Sequence, residues 1–292
     1  MGSEMCIRDS LGSNLGAVEL TIAVHRVFES PRDVILWDTG HQAYVHKLVT
    51  GRADLFSSLR QRHGLSGYPS NAESEHDIVE NSHASTSLSW ASGLSAGFDL
   101  TGHKHRQVVA VIGDGSMTGG MAFEALNNLG HYGQRAVIIL NDNGRSYAPT
   151  VSRLATVMSR VRQSPNYVKG RQAVVNILDR MPLGEEVKRG LSGAAAAMRE
   201  MWEPPAFFET LGVRYLGPID GHDIEALESA LSDASSYEDG PIVVHVLTDK
   251  GRGYAPAEDD EEKHLHDIGL FCLLYTSPSP RDLSTSRMPS SA

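Results

Sequence analysis

Cysteine is nearly missing from this 292-residue sequence: Cys6 and Cys272 are the only two, and both sit near the ends. A disulfide framework is therefore excluded for the body of the chain, which suits a reducing cytoplasm. Long apolar runs are missing too. None approaches the ~18 residues of a membrane-spanning helix. The N-terminus shows no basic segment followed by an apolar stretch, so no secretory signal is read there. Positive charge is in short supply: 26 Lys and Arg stand against 36 Asp and Glu, for a formal net charge of -10. Binding a nucleic-acid backbone wants the opposite balance, so no nucleic-acid partner is expected. No GxGxxG follows a strand pattern and opens a helix, which argues against a dinucleotide site.

The ends differ in texture from the middle. Half of the residues from Phe271 to Ala292 are Ser, Thr or Pro, with no periodicity that could bury a face. Met5 to Ser10 and Cys272 to Asp282 look like translated sequencing-adapter read-through. The expectation is a non-native tail at 1–10, one folded domain at 11–267, and a non-native, disordered tail at 268–292.

What the middle does have is alternation of short apolar runs with helical patterns. Val34–Trp37, Val108–Ile112, Ala136–Leu140 and Ile242–Val246 are short, β-branched and bounded by Gly, Asp, Asn or Pro, and read as strands. Their apolarity is continuous rather than alternating, so both faces are covered, as in a parallel sheet. Between the second and third, Ala122, Ala125, Leu126 and Leu129 fall at i, i+3, i+4 and i+7 of a helix. The fold class is α/β: a doubly wound, mostly parallel sheet with helices on both faces. Residues 150–205 read as a helical excursion.

Chemistry concentrates where two of these strands end. Gly113-Asp114-Gly115 closes the second strand and Asn141-Asp142-Asn143 the third. Ligands of open α/β sheets bind beyond the carboxyl ends of strands, so neighbouring strands bring Asp114 and Asn143 to one rim. One carboxylate and one carboxamide are too few for a calcium cage. They suit Mg²⁺, which keeps water and takes its remaining ligands from substrate phosphates. The glycines let backbone approach a diphosphate closely. The plainer reading is an ordinary βαβ unit with a glycine turn and an Asn/Asp turn.

These residues resemble the thiamine-diphosphate motif, GDG followed one helix later by NN or NDN. Five further stretches resemble 1-deoxy-D-xylulose-5-phosphate synthases. Asp38-Thr39-Gly40-His41-Gln42-Ala43-Tyr44 matches DxGHQAY. Ser82 to Ser87 resembles GHSSTS, and Gly119 to Ala125 resembles GMAFEA. Pro218 to Asp223 matches PxDGHD, and Lys250 to Tyr254 matches KGRGY. The resemblance runs from about Leu11 to His266.

The resemblance implies a thiamine-diphosphate-binding fold, with residues 11–267 as its diphosphate-binding domain. It implies Mg²⁺ held by Asp114, Asn143 and the backbone carbonyl of Arg145. The cofactor would lie against His41, Ser82, His83, Ala84, Gly113, Asp114, Gly115, Ser116, Asn143, Lys250 and Tyr254, with His41 as the candidate catalytic group. The implied reaction condenses pyruvate with glyceraldehyde 3-phosphate to 1-deoxy-D-xylulose 5-phosphate and CO₂, in a cytoplasmic homodimer feeding isoprenoid, thiamine and pyridoxal synthesis. A second α/β domain would supply a glutamate to the pyrimidine ring. Without it the chain is expected to be inactive alone. The alternatives are the N-terminal subunit of a split transketolase and a non-catalytic Mg²⁺/diphosphate module.

Each motif also has a physical reading. His41 follows a strand and precedes a helical pattern, where an imidazole can donate to a phosphate or shuttle a proton near neutral pH; otherwise it is a turn histidine. Ser82 to Ser87 open a helix whose free N–H groups and hydroxyls can contact a cofactor, or do no more than cap it. Asp220 to Asp223 can be a loop that caps the next helix. Lys250 to Tyr254 follows the last strand and can fold over the cofactor. His264 and His266 lie in an acidic, solvated run. The sequence departs from the family at Ser10, where a His is usual, at Ser82 and Ala84 of GHSSTS, and at Arg145, where Met is commoner.

Overall fold

The computed structural model describes residues 11–80, 82–144 and 205–259. Arg145, residues 150–204 of the expected excursion, both ends with their cysteines, and His264 and His266 lie outside the described residues.

Five strands form one sheet: β1 (Val34–Trp37), β2 (Val108–Gly113), β3 (Val137–Asp142), β4 (Arg214–Asp220) and β5 (Ile242–Leu247). Their spatial order is β1-β2-β3-β5-β4, and every pairing is parallel. All four strands read from the sequence are present. β2, β3 and β5 run further than expected, so Asn141 and Asp142 belong to β3 itself and only Asn143 lies beyond it.

Successive strand residues point to opposite faces, and the two faces bury separate cores. Val34, Leu36, Ala110, Ile112, Ile138 and Leu140 pack against α4 (Ser87–Leu100) and α5 (Gly120–Tyr132). Ile35, Trp37, Val109, Val111, Ile139 and Val244 pack against α2 (Val18–Val27) and α7 (Ile224–Ser235). The four helical positions read in α5 are all buried. α4 and α5 link β1 to β2 to β3 across one face. The chain later runs to the far edge, and α7 brings it back from β4 to β5 across the other. A right-handed crossover that reverses direction must change face. Four short α-helices, α1 (Leu11–Leu15), α3 (Tyr44–Lys47), α6 (Pro205–Thr210) and α8 (Ala255–Glu258), and tighter or wider helical turns at Leu48–Arg52, Ala53–Ser58 and Ser116–Thr118 complete the described fold.

β4 is a strand that the sequence pattern does not reveal. Gly217 and Pro218 interrupt it, and its register against β5 shifts between Leu216 and Ile219. Proline cannot donate to a ladder, so strands admit it at edges and bulges, and β4 is an edge strand with a bulge there. The capping role read for Asp223 is present: its side chain accepts from the Ala226 amide at the start of α7. Among the described residues no helix is long and apolar enough to cross a membrane.

Candidate functional site

The parallel register sets the rim. Gly113 is the partner of Asn141 in the β2–β3 ladder, and the Asp114 amide donates to the Asn141 carbonyl at 3.2 Å. Asp114 and Asn143 therefore leave adjacent strands at one level, both partly exposed. A methyl group built on Gly113 would meet nothing within 4 Å, so the space over the end of β2 is open. The turn that follows bonds Thr118 N–H to the Gly115 carbonyl and Gly119 N–H to the Ser116 carbonyl. The amides of Gly115 and Ser116 lie ahead of that pairing, at the open end of the turn. Two hard oxygen donors beside open space and a glycine turn fit a divalent cation that shares its shell with a diphosphate. Among the described residues no group of three or more His, Cys, Asp or Glu forms a metal cage.

The β1 loop comes to the same rim. Thr39 and Ser116 hydroxyls approach to 3.4 Å. His41 is held through its backbone, whose carbonyl accepts from Asn14 Nδ2 at 2.7 Å, while Asn14 Oδ1 accepts from the Tyr44 amide at 2.9 Å. Gln42 Oε1 accepts from Asn141 Nδ2 at 2.9 Å, and Asn141 Oδ1 accepts from Thr248 Oγ1 at 2.6 Å. Asn141 thus ties the loops after β1 and β5 to β3 and is occupied internally; it is Asn143 that reaches the rim.

Lys250 is brought in by α1. The Gly251 amide donates to the Gly12 carbonyl at 2.8 Å. A Cβ on Gly16 would stand 2.6 Å from the Asp249 carbonyl oxygen, so only glycine lets α1 lie this close to the stretch after β5. Lys250 is buried there, whereas Tyr254 stands exposed at the head of α8. Ser82, His83 and Ala84 form an exposed loop before α4, with His83 Nδ1 2.8 Å from the Ala84 carbonyl oxygen.

The reading missed what anchors that loop. Asp38, buried at the end of β1, accepts from the amides of Ser85 and Ser87 at 2.9 and 3.0 Å. Ser85 Oγ donates to the Ser116 carbonyl at 2.6 Å, and its side chain fills the space where a Cβ on Gly119 would go. Asp38 therefore caps α4, and those two amides serve the fold instead of a ligand. The α3 amide nearest His41 is taken by Asn14 in the same way. The short motif around Asp38 was visible in the sequence; its target was not, because capping across 47 residues leaves no local pattern.

A second missed element lies under the His41 loop. α3 turns His46 and Lys47 inwards, both fully buried. His46 Nε2 donates to Asp77 Oδ1 at 2.8 Å, and His46 Nδ1 accepts from His25 Nε2 at 2.8 Å. Arg52 donates to both Asp77 oxygens, and Lys47 pairs with Glu73. Burial, reinforced by His46, pulls the His25 imidazole down to about 4. Burial likewise lowers His46 against the pull of Asp77, and lowers Lys47 against that of Glu73. Burial alone would raise Asp77; the His46, Arg52 and Ser70 hydrogen bonds prevail and hold it well below the carboxylate range.

Residues 7–248 match the family model described as 1-deoxy-D-xylulose-5-phosphate synthase. The chain belongs to this family. Proteins of that name from Frankia casuarinae, Parafrankia sp. and Mycobacterium avium are 56%, 53% and 52% identical to it. These matches cover 89%, 94% and 89% of this chain, and 40%, 42% and 41% of those synthases. The chain spans about two fifths of the length of the curated relatives it matches. Membership in the synthase family decides against a transketolase subunit. Of the described synthase-type motifs, Asp38 to Tyr44 and Ser82 to Ser87 come to the turn from Gly113 to Ser116, whereas Pro218 to Asp223 lies at the end of the edge strand β4.

Proposed function

We propose that this chain holds the diphosphate and Mg²⁺ of thiamine diphosphate, within a protein that condenses pyruvate with glyceraldehyde 3-phosphate to 1-deoxy-D-xylulose 5-phosphate and CO₂. One observation carries the reading: Asp114 and Asn143 leave neighbouring parallel strands at one level, beside the open space over Gly113. Thiamine diphosphate supplies a ring that stabilises a carbon nucleophile, which protein side chains cannot do. The chain's own residues bind and orient. Asp114, Asn143 and the carbonyl of Arg145 hold the cation. Backbone from Gly113 to Ser116 approaches the diphosphate. Ser82, His83, Ala84, Lys250 and Tyr254 would contact it. His41, fixed by Asn14 and Gln42, holds or moves a proton at its imidazole. Membership in the synthase family favours a homodimeric whole protein, cytoplasmic and serving isoprenoid, thiamine and pyridoxal synthesis.

Calorimetric titration with thiamine diphosphate, with and without Mg²⁺, tests the site. Metal-dependent binding is expected in this chain and lost in Asp114→Ala. Equal binding by the variant would refute the assignment.

A further inference from the structure

Three polar side chains from adjacent strands meet on a face that is otherwise apolar. Leu140 of β3 is the register partner of His245 in β5, and Val243 of β5 is the partner of Tyr215 in β4. Asp142, two residues after Leu140, is thus the diagonal neighbour of His245 on one side, and Tyr215 is its diagonal neighbour on the other. The contacts follow. His245 Nε2 lies 3.1 Å from Asp142 Oδ2, and Tyr215 Oη lies 2.7 Å from His245 Nδ1. His245 is fully buried and Asp142 nearly so. An ionised carboxylate can only accept, so Nε2 donates to Asp142 and Nδ1 accepts the Tyr215 hydroxyl proton. The Tyr215 ring is steadied by Phe208, stacked at 5.7 Å between centroids.

The second oxygen of Asp142 gives this chain of bonds a direction. Oδ1 accepts from the Gly144 amide at 3.0 Å and closes a turn around Asn143. Gly144 takes a φ of 70°, which glycine adopts without strain. A buried histidine needs partners wherever it sits, and that alone would explain two of the three bonds. It does not explain why the carboxylate also grips the amide just past Asn143.

We propose that Tyr215, His245 and Asp142 are positioning residues that fix the turn carrying Asn143, and so preorganise the cation site from two strands away. The inference rests on the reading of Asn143 as a metal-holding residue. None of the three touches the cation; each acts through the next. Outer residues of this kind typically change metal affinity by about 10- to 100-fold when removed.

The test is Mn²⁺ binding, read by electron paramagnetic resonance on this chain with thiamine diphosphate present. Four variants are compared: Asp114→Ala, His245→Leu, His245→Gln and Tyr215→Phe. Near-ultraviolet circular dichroism checks folding. His245→Leu is expected to weaken Mn²⁺ by at least about tenfold and to speed hydrogen exchange at the Gly144 amide. His245→Gln keeps an N–H for Asp142 and should recover most of the affinity; a purely packing role would not distinguish it from leucine. Wild-type affinity in His245→Leu, or in Tyr215→Phe if the leucine variant does not fold, overturns the proposal, as does a glutamine variant no better than leucine. Unchanged binding in Asp114→Ala, or none in the unsubstituted chain, instead overturns the cation site and the inference with it.

Discussion

Two charged regions lie on either side of the His41 loop, and they treat charge in opposite ways. Below it, His25, His46, Lys47, Arg52, Glu73 and Asp77 are bonded to one another and largely sealed from water. Above it, Asp114 and Asn143 keep partial exposure at the ends of β2 and β3, beside open space. A buried ion that has its partners is part of the fold, and removing one partner leaves the others unpaired in a poorly solvated place. A half-exposed oxygen at a strand end is solvated whether or not a ligand comes. The lower region should therefore answer to mutation in stability and the upper one in binding.

The sharpest way to break that comparison is a matched pair of aspartate truncations. Asp77→Ala strands the Arg52 guanidinium and the His46 Nε2 proton together. A loss of about 3–5 kcal/mol is expected for removing one partner of a buried pair. Asp114→Ala should shift stability by no more than about 0.5 kcal/mol, the usual range for substitutions at the surface, while abolishing Mg²⁺-dependent cofactor binding. Urea unfolding of both variants reads the difference. Equal losses would mean that the rim is as much a part of the core as the cluster beneath it.

Acid should separate the regions more gently. His25 stays neutral in the folded chain down to about pH 4, whereas an unfolded histidine takes up its proton near 6.5. Between those values the unfolded state binds more protons, so stability falls as pH falls through the window and is level above it. His46, also lowered, acts in the same sense. Asp77 contributes in the opposite range: its stabilisation is complete above the unfolded value of 3.8 and is lost as pH drops below it. Urea midpoints measured across the window should decline, and His25→Gln should flatten the decline. A midpoint that holds steady on acidification would show that the histidines do not carry this cost.

How much of this could be read in the sequence follows the same division. The rim was legible because its markers are local: a β-branched run, a glycine-flanked Asp, an amphipathic helix, a second run and an Asn. The sheet was legible for the same reason, except β4, where Gly217 and Pro218 punctuate a strand that survives only through a bulge at an edge. The cluster was not legible. In α3 and the turn after it, His46 and Lys47 are buried while Leu48 and Val49 are exposed, the reverse of what hydropathy predicts. Only the distant partners Glu73 and Asp77 make that inversion tolerable, and no periodicity records them. Asp38 and Asn141 were quoted within motifs, yet their roles as cap and tie depend on residues from other strands and loops.

The smallest expected effect concerns Asp220 to Asp223, where a motif that resembles chemistry is used for structure. His222 Nε2 accepts from the Asp249 amide at 2.9 Å, and its Nδ1 lies 3.2 Å from Glu19 Oε2. It therefore joins the end of β4 to α2 and to the stretch after β5. Asp220 accepts from the His222 amide at 2.9 Å, and Asp223 from the Ala226 amide at 3.1 Å. Asp223 is exposed, so losing it uncovers no buried charge. What it loses is one cap bond and a favourable charge at the head of α7, a change worth about 1 kcal/mol. Asp223→Ala should lower stability by that amount in urea, and Asp223→Asn, which can still cap, should recover most of it. Neither variant should alter Mg²⁺-dependent cofactor binding, because the carboxylate is engaged at a helix start instead of the rim between β2 and β3. A binding loss larger than the stability loss would move this segment from the scaffold into the site.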